Sequence, residues 1–181
     1  LKTVRLVEEE GFDQKSGLLL CMEDDCAWPG VITNPTPAQL CEAVDTLWQP
    51  FEKFPFCGPA DRGVMLAAIL TALVRGSLAT APAFMFDAPS AGSGKTLLSK
   101  CIAILAGQAA PSVLVGVEKD EETRKRLLAL GRSGACVAVL DNLSGVFASP
   151  ALCAWLTSPS FTDRVLGVSE QMSVPTTALV I

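Results

Sequence analysis

Apolar positions recur with helical spacing from Thr36 onward. Thr36-Pro37-Ala38-Gln39 offers an N-cap, a proline at the first helical position and a capping-box glutamine. Leu40, Val44, Leu47, Trp48 and Phe51 then form one stripe, which predicts an amphipathic helix. Phe54 to Pro59 interrupts the pattern. The next helix, from about Ala60 to Ser77, is apolar almost all round between Arg62 and Arg75, the pattern of a helix enclosed in a core with Leu70 inside it.

Ala83 to Asp87 reads as a short apolar strand, Lys95 to Ala106 as a helix closed by Gly107, and Ser112 to Val115 as a β-branched strand. Asp120 is suited to cap a helix that carries Glu121 and Glu122 in its first turn and ends near Gly131. Ala135 to Leu140 is the next buried strand. A helix near Pro150 to Thr157 follows, then a polar stretch holding Arg164 and two short strand-like runs ending at Ile181. Strands alternating with helices predict an α/β fold, with a mostly parallel sheet covered by helices on both faces.

Before Thr36 the signals are weaker. Leu18 to Cys21, after the turn Lys15-Ser16-Gly17, reads as a strand, and Trp28-Pro29-Gly30 breaks the chain. The expected organisation is an N-terminal irregular segment over 1–34, a helical segment packed on the core over 35–80, and a core over 81–181. The chain begins at Leu1 and stops inside the apolar run Ala178 to Ile181, from which both ends are expected to be cut.

Composition narrows the function classes. The 181 residues are 50% hydrophobic and 18% charged, enough for one buried core. Mean hydropathy is +0.41, yet the longest apolar run, Gly63 to Val74, falls short of the roughly 20 residues needed to span a bilayer. No signal-peptide pattern precedes it, so no membrane association and a cytoplasmic location are expected. The seven cysteines lack a C-x-x-C pair and there is no histidine, which points to reduced, mostly buried thiols and away from zinc or histidine chemistry. A net charge of -5 opposes bulk electrostatic binding of nucleic acid, so any such contact must be local. The basic residues Lys119, Arg124, Lys125, Arg126 and Arg132 read as the solvated face of a helix.

The chemistry concentrates in Pro89-Ser90-Ala91-Gly92-Ser93-Gly94-Lys95-Thr96, which matches G-x-x-x-x-G-K-[ST] except that proline holds the first position. With a strand before it and a helix after it, such a loop turns backbone N–H groups and a helix N-terminus toward phosphate. Lys95 would reach the β- and γ-phosphates of ATP, and Thr96 would ligate Mg²⁺. A plain connecting turn is the alternative, but it needs no lysine, and a cation at a helix start is unfavourable without an anion. The run Cys136 to Leu140 ends in Asp141-Asn142, which reads as a strand delivering an Mg²⁺ carboxylate, Asp141, beside the loop. Asp-Asn is also good turn chemistry. The βα unit between the two motifs is the additional-strand layout of AAA+ and related ATPases.

On these residues the chain resembles phage- and plasmid-type ATPases akin to the helicase part of primase-helicases and to superfamily 3 helicases. The matching stretches are Phe54-Pro55-Phe56, Asp61-Arg62, Leu73-Val74-Arg75, the loop from Asp87 to Thr96, Asp141-Asn142 and Asp163-Arg164-Val165-Leu166-Gly167. The resemblance implies that proline at the loop entrance and Asp141-Asn142 are this group's versions of the two motifs. It implies a homo-oligomeric motor that contacts DNA during replication. Arg164 would act across a subunit boundary or on nucleic acid, with a surface ion pair as the alternative. A polar sensor is expected beyond Ile181. Asn142 stands where many relatives carry a water-activating glutamate; it orients water but takes no proton, so weak hydrolysis is expected. That feature also supports a non-catalytic ATP-binding switch. A small-molecule phosphotransferase is the third reading, disfavoured by the extra strand.

Overall fold

The computed structural model describes residues 7–21, 30–90, 92–115, 120–141, 143, 148–164 and 170–181. The chain divides into two compact units, Leu1–Phe56 and Cys57–Ile181, a boundary that falls inside the 35–80 segment.

In the first unit, β1 (Gly11–Asp13) pairs antiparallel with β2 (Leu18–Leu20), with Gly11 opposite Leu20. The turn is closed by the Asp13 carboxylate, which accepts from the Ser16 backbone N–H at 2.9 Å. Helix α1 (Pro37–Trp48) begins as its sequence dictates: the Gln39 N–H donates to the Thr36 hydroxyl, and the Thr36 N–H donates to the Gln39 side-chain oxygen at 2.9 Å. Its apolar stripe is not a core contact along its whole length. Leu40 and Val44 are exposed, and only the C-terminal end joins a cluster of Trp48, Phe51, Phe54 and Phe56, in which Phe51 is buried.

The second unit opens with α2 (Pro59–Val74), followed by a 3-10 turn, Arg75–Ser77. This helix buries Met65, Ala68, Ile69 and Ala72 along one stripe. The expectation of an enclosed helix is corrected here: Leu70 and Leu73 are each 50% exposed, so the helix packs on one side only. Helix α3 (Lys95–Leu105) ends at Gly107, whose φ of 79° requires glycine. Then come β3 (Ser112–Val115), α4 (Asp120–Ser133), β4 (Val137–Asp141), α5 (Pro150–Thr157), β5 (Ser160–Arg164), β6 (Gln171–Pro175) and β7 (Leu179–Val180).

Strands β3, β4 and β7 form a parallel sheet in that order, with Ser112 opposite Ala138 and Ala138 opposite Val180. Val137, Ala138 and Val139 are consecutive buried residues, so β4 is covered on both faces. One face carries the main apolar cluster, in which Ala138 and Val180 meet Leu127, Leu128, Leu152 and Trp155 of α4 and α5. The Gln108 side chain secures the start of β4: its carbonyl accepts from the Cys136 and Val137 N–H groups at 2.7 and 2.9 Å.

Three expectations shift. Among the described residues the predicted strand 83–87 forms no ladder; its backbone bond to the sheet there is a single one, Phe84 N–H to Val180 O at 3.0 Å, which sets it beside β7. The polar stretch around Arg164 is one arm of the antiparallel hairpin β5–β6, with Ser160 opposite Pro175. The strand predicted over 135–140 begins at Val137 and reaches Asp141. Glycine at 131 is a steric requirement, since a Cβ there would lie 2.4 Å from Val174 Cγ2 and 2.7 Å from Val174 Cβ.

The six described cysteines are free, and none is buried: Cys21, Cys41, Cys57 and Cys153 are exposed, while Cys101 and Cys136 are half-buried. The expectation of mostly buried thiols therefore fails for the described residues. Among them no helix is long and apolar enough to cross a membrane.

Candidate functional site

The loop between the 83–87 segment and α3 owes its shape to two glycines with left-handed backbones, Gly92 (φ 77°) and Gly94 (φ 91°). Gly94 is the N-cap of α3 and offers no capping side chain. The first amides of a helix have no intrahelical partner. In α3 no acidic residue stands in the first turn to meet them either. Lys95 is instead the first helical residue, half-buried and without an ion pair among the described residues. The Ser93 hydroxyl, also in the loop, is buried with no hydrogen-bond partner among the described residues. The loop and the first turn of α3 thus combine a helix start without a side-chain cap or an acid with a lysine at its first position, a setting that favours an anion.

A cavity of about 710 Å³ adjoins this loop and is lined by Lys95 and Thr96 of α3, Asp141 at the end of β4, and Asp87 before the loop. The volume lies in the range of small-molecule and cofactor sites. The cavity sits where β4 and β7 end, the usual ligand position in an open α/β sheet. The structure thus brings Lys95, Thr96 and Asp141 together. Gly92, Ser93 and Gly94 shape the adjoining loop, and Pro89 and Ser90 are exposed at its entrance. Ala91 and Asn142 lie outside the described residues. Arg164 does not line the cavity; it is exposed at the end of β5.

Asp87 was not a predicted ligand-contacting residue, yet its carboxylate belongs to the same cavity, where one oxygen accepts from the Ala88 N–H at 2.7 Å. Its sequence signals were its position at the end of an apolar run and at the start of the matching loop stretch, neither of which marks a ligand contact. A divalent cation in this cavity could draw on the Thr96 hydroxyl and the Asp141 carboxylate, hard oxygens of the kind that suit Mg²⁺. Among the described residues no group of three cysteine or acidic side chains gathers as a cage.

The start of α4 contrasts with this. Asp120 was expected to cap its own helix; its carboxylate caps α5 instead, accepting from the Ala151 N–H at 3.0 Å and the Ser149 hydroxyl at 2.9 Å while pairing with Arg124 at 3.0 Å. The Ala151 amide, with the Arg124 guanidinium and the Ser149 hydroxyl, holds the Asp120 carboxyl below the usual carboxylate range. Lys125 and Arg126 pair with Glu121 and Glu122, so this basic stretch is neutralised along its own helix.

Comparison with known proteins identifies no relative: no family model matches the chain, and no curated protein and no solved structure matches it.

Proposed function

We propose that this chain is a P-loop ATPase domain that binds ATP with Mg²⁺. The observation that carries the reading is the single cavity shared by Lys95, Thr96 and Asp141 beside an uncapped helix N-terminus. In this reading the amides after Gly92 and the Lys95 ammonium hold the phosphates. Thr96 and Asp141 hold the metal, directly or through water. The orphaned Ser93 hydroxyl gains a phosphate partner. The order of the sheet is in keeping with this reading: β7 lies between the loop-bearing segment 83–87 and the carboxylate-bearing β4.

The biological setting proposed is the motor of a phage or mobile-element replication protein, acting as a homo-oligomer on DNA. Its support is the motif resemblance, together with the exposure of Arg164, which leaves that side chain accessible to a neighbouring subunit or to nucleic acid. Asn142 after Asp141 favours a second reading, an ATP-binding switch that organises a partner without turnover. Calorimetric titration of MgATP into the wild type and Lys95→Ala tests the site. Equal affinity for the two proteins, or none for the wild type, removes the proposal. ATP hydrolysis with and without single-stranded DNA then separates motor from switch.

A further inference from the structure

We propose that Arg75 is a positioning residue for the phosphate loop: its buried guanidinium ties the chain entering the loop-bearing segment to the chain entering β7. The inference rests on the reading of the cavity as a nucleotide site.

Arg75 follows α2 directly and is 2% exposed. No acidic side chain among the described residues pairs with it, and its Nε has no partner. What it does hold is backbone. One terminal nitrogen donates to the Leu78 carbonyl at 2.8 Å, and the other donates to the Thr176 carbonyl. Thr176 is itself anchored, its N–H donating to Pro159 O at 3.2 Å and its hydroxyl to Ser158 O at 2.5 Å. The guanidinium therefore links a fixed point at the base of the hairpin to the start of the segment that leads through 83–87 into the loop.

That segment needs the tie. Among the described residues it is an edge with one backbone bond to the sheet, Phe84 N–H to Val180 O, whereas β7 is bonded to β4 repeatedly, by Leu179 N–H to Cys136 O at 2.8 Å, Ile181 N–H to Ala138 O at 2.9 Å and Leu140 N–H to Ile181 O at 2.7 Å. A single bond leaves an edge segment free to pivot about it. A second tie below that bond fixes direction, and with it the place where Asp87 and the loop meet the cavity. The planar fork of a guanidinium spans two carbonyls at set angles; an ammonium keeps the charge but loses the fork.

The experiment is residue-resolved amide exchange on wild type, Arg75→Lys and Arg75→Met, paired with MgATP titration. In the variants the Phe84 amide is expected to exchange about tenfold faster or more while Leu140 and Ile181 keep their protection, and MgATP affinity is expected to fall about tenfold or more, the size of one charge-assisted hydrogen bond. Uniform acceleration at Phe84, Leu140 and Ile181 in both variants would overturn the inference in favour of plain destabilisation. So would wild-type behaviour at Phe84, or a loosened Phe84 with unchanged affinity. If the wild type binds no ATP, the nucleotide reading falls by itself, and the exchange pattern still decides whether Arg75 is the tie.

Discussion

The starts of α3 and α4 solve the same electrostatic problem in opposite ways. Both begin with amides that have no partner within the helix and with a positive dipole end. In α4 the first turn holds Asp120, Glu121 and Glu122, and the cations Arg124, Lys125 and Arg126 neutralise them one turn later. In α3 the cap is a glycine, the first turn has no acid, and a lysine adds to the positive end. One start is closed by acids of its own first turn; the other has none, and in the reading proposed above an external anion takes that place. An N-terminus becomes informative about ligands when its sequence withholds the residues that would satisfy it.

Lys95→Ala gives the largest expected break in this contrast. It removes a charge-assisted contact worth about 1.5–3 kcal/mol, so MgATP affinity drops roughly 10- to 100-fold. Thermal stability measured without ligand is unchanged or slightly raised, because a cation leaves the positive end of α3. A large loss of stability would mean that Lys95 serves the core.

Asp120→Ala acts on the closed end and should lower stability without touching nucleotide affinity, since it releases the Ala151 amide, the Ser149 hydroxyl and Arg124 together. The sign with pH follows from its depressed pKa. The carboxylate's contribution is complete above its unfolded value of about 3.9 and is lost as pH falls through the lower folded value. Denaturant titrations should therefore separate wild type from variant at neutral pH and bring them together in strong acid.

Leu97→Asp converts the open start toward the closed kind. Leu97 is 59% exposed and lies in the first turn of α3. The new acid should raise stability by about 0.3–1 kcal/mol while weakening MgATP binding, opposite signs in one protein. A gain in both properties would end the argument that this helix start is reserved for an anion. Lys125→Ala is the smallest, a slight and salt-sensitive lowering of the denaturation midpoint, because exposed pairs one helical turn apart contribute little.

What the sequence made legible was local. Pro37, Ser112 and Pro150 begin their elements where capping and β-branching indicate, and the loop with its lysine stands at the start of α3. Information that arises only on packing was not legible. A helix apolar on all sides has no periodic contrast, so nothing in α2 indicated that Ile69 is buried and Leu70 exposed. Asp120 has an N-cap's chemistry, but which helix it caps depends on where α5 docks. The cavity members Lys95 and Asp141 were readable from their motifs; Asp87 entered because an extended segment of the required length brings it there. Arg75 was legible only as part of the matching stretch Leu73-Val74-Arg75; its burial and its two carbonyl partners arise on packing.

The close approach at Gly131 also constrains substitution. Because the obstructing atoms include Val174 Cβ and not only a methyl, no rotamer of that valine makes room for an alanine at 131. The two positions are sterically coupled: a side chain gained on α4 requires one lost on β6. Gly131→Ala with Val174→Gly should recover stability that Gly131→Ala alone forfeits. In a set of descendants of this sequence, drift at one of these sites would be recorded at the other.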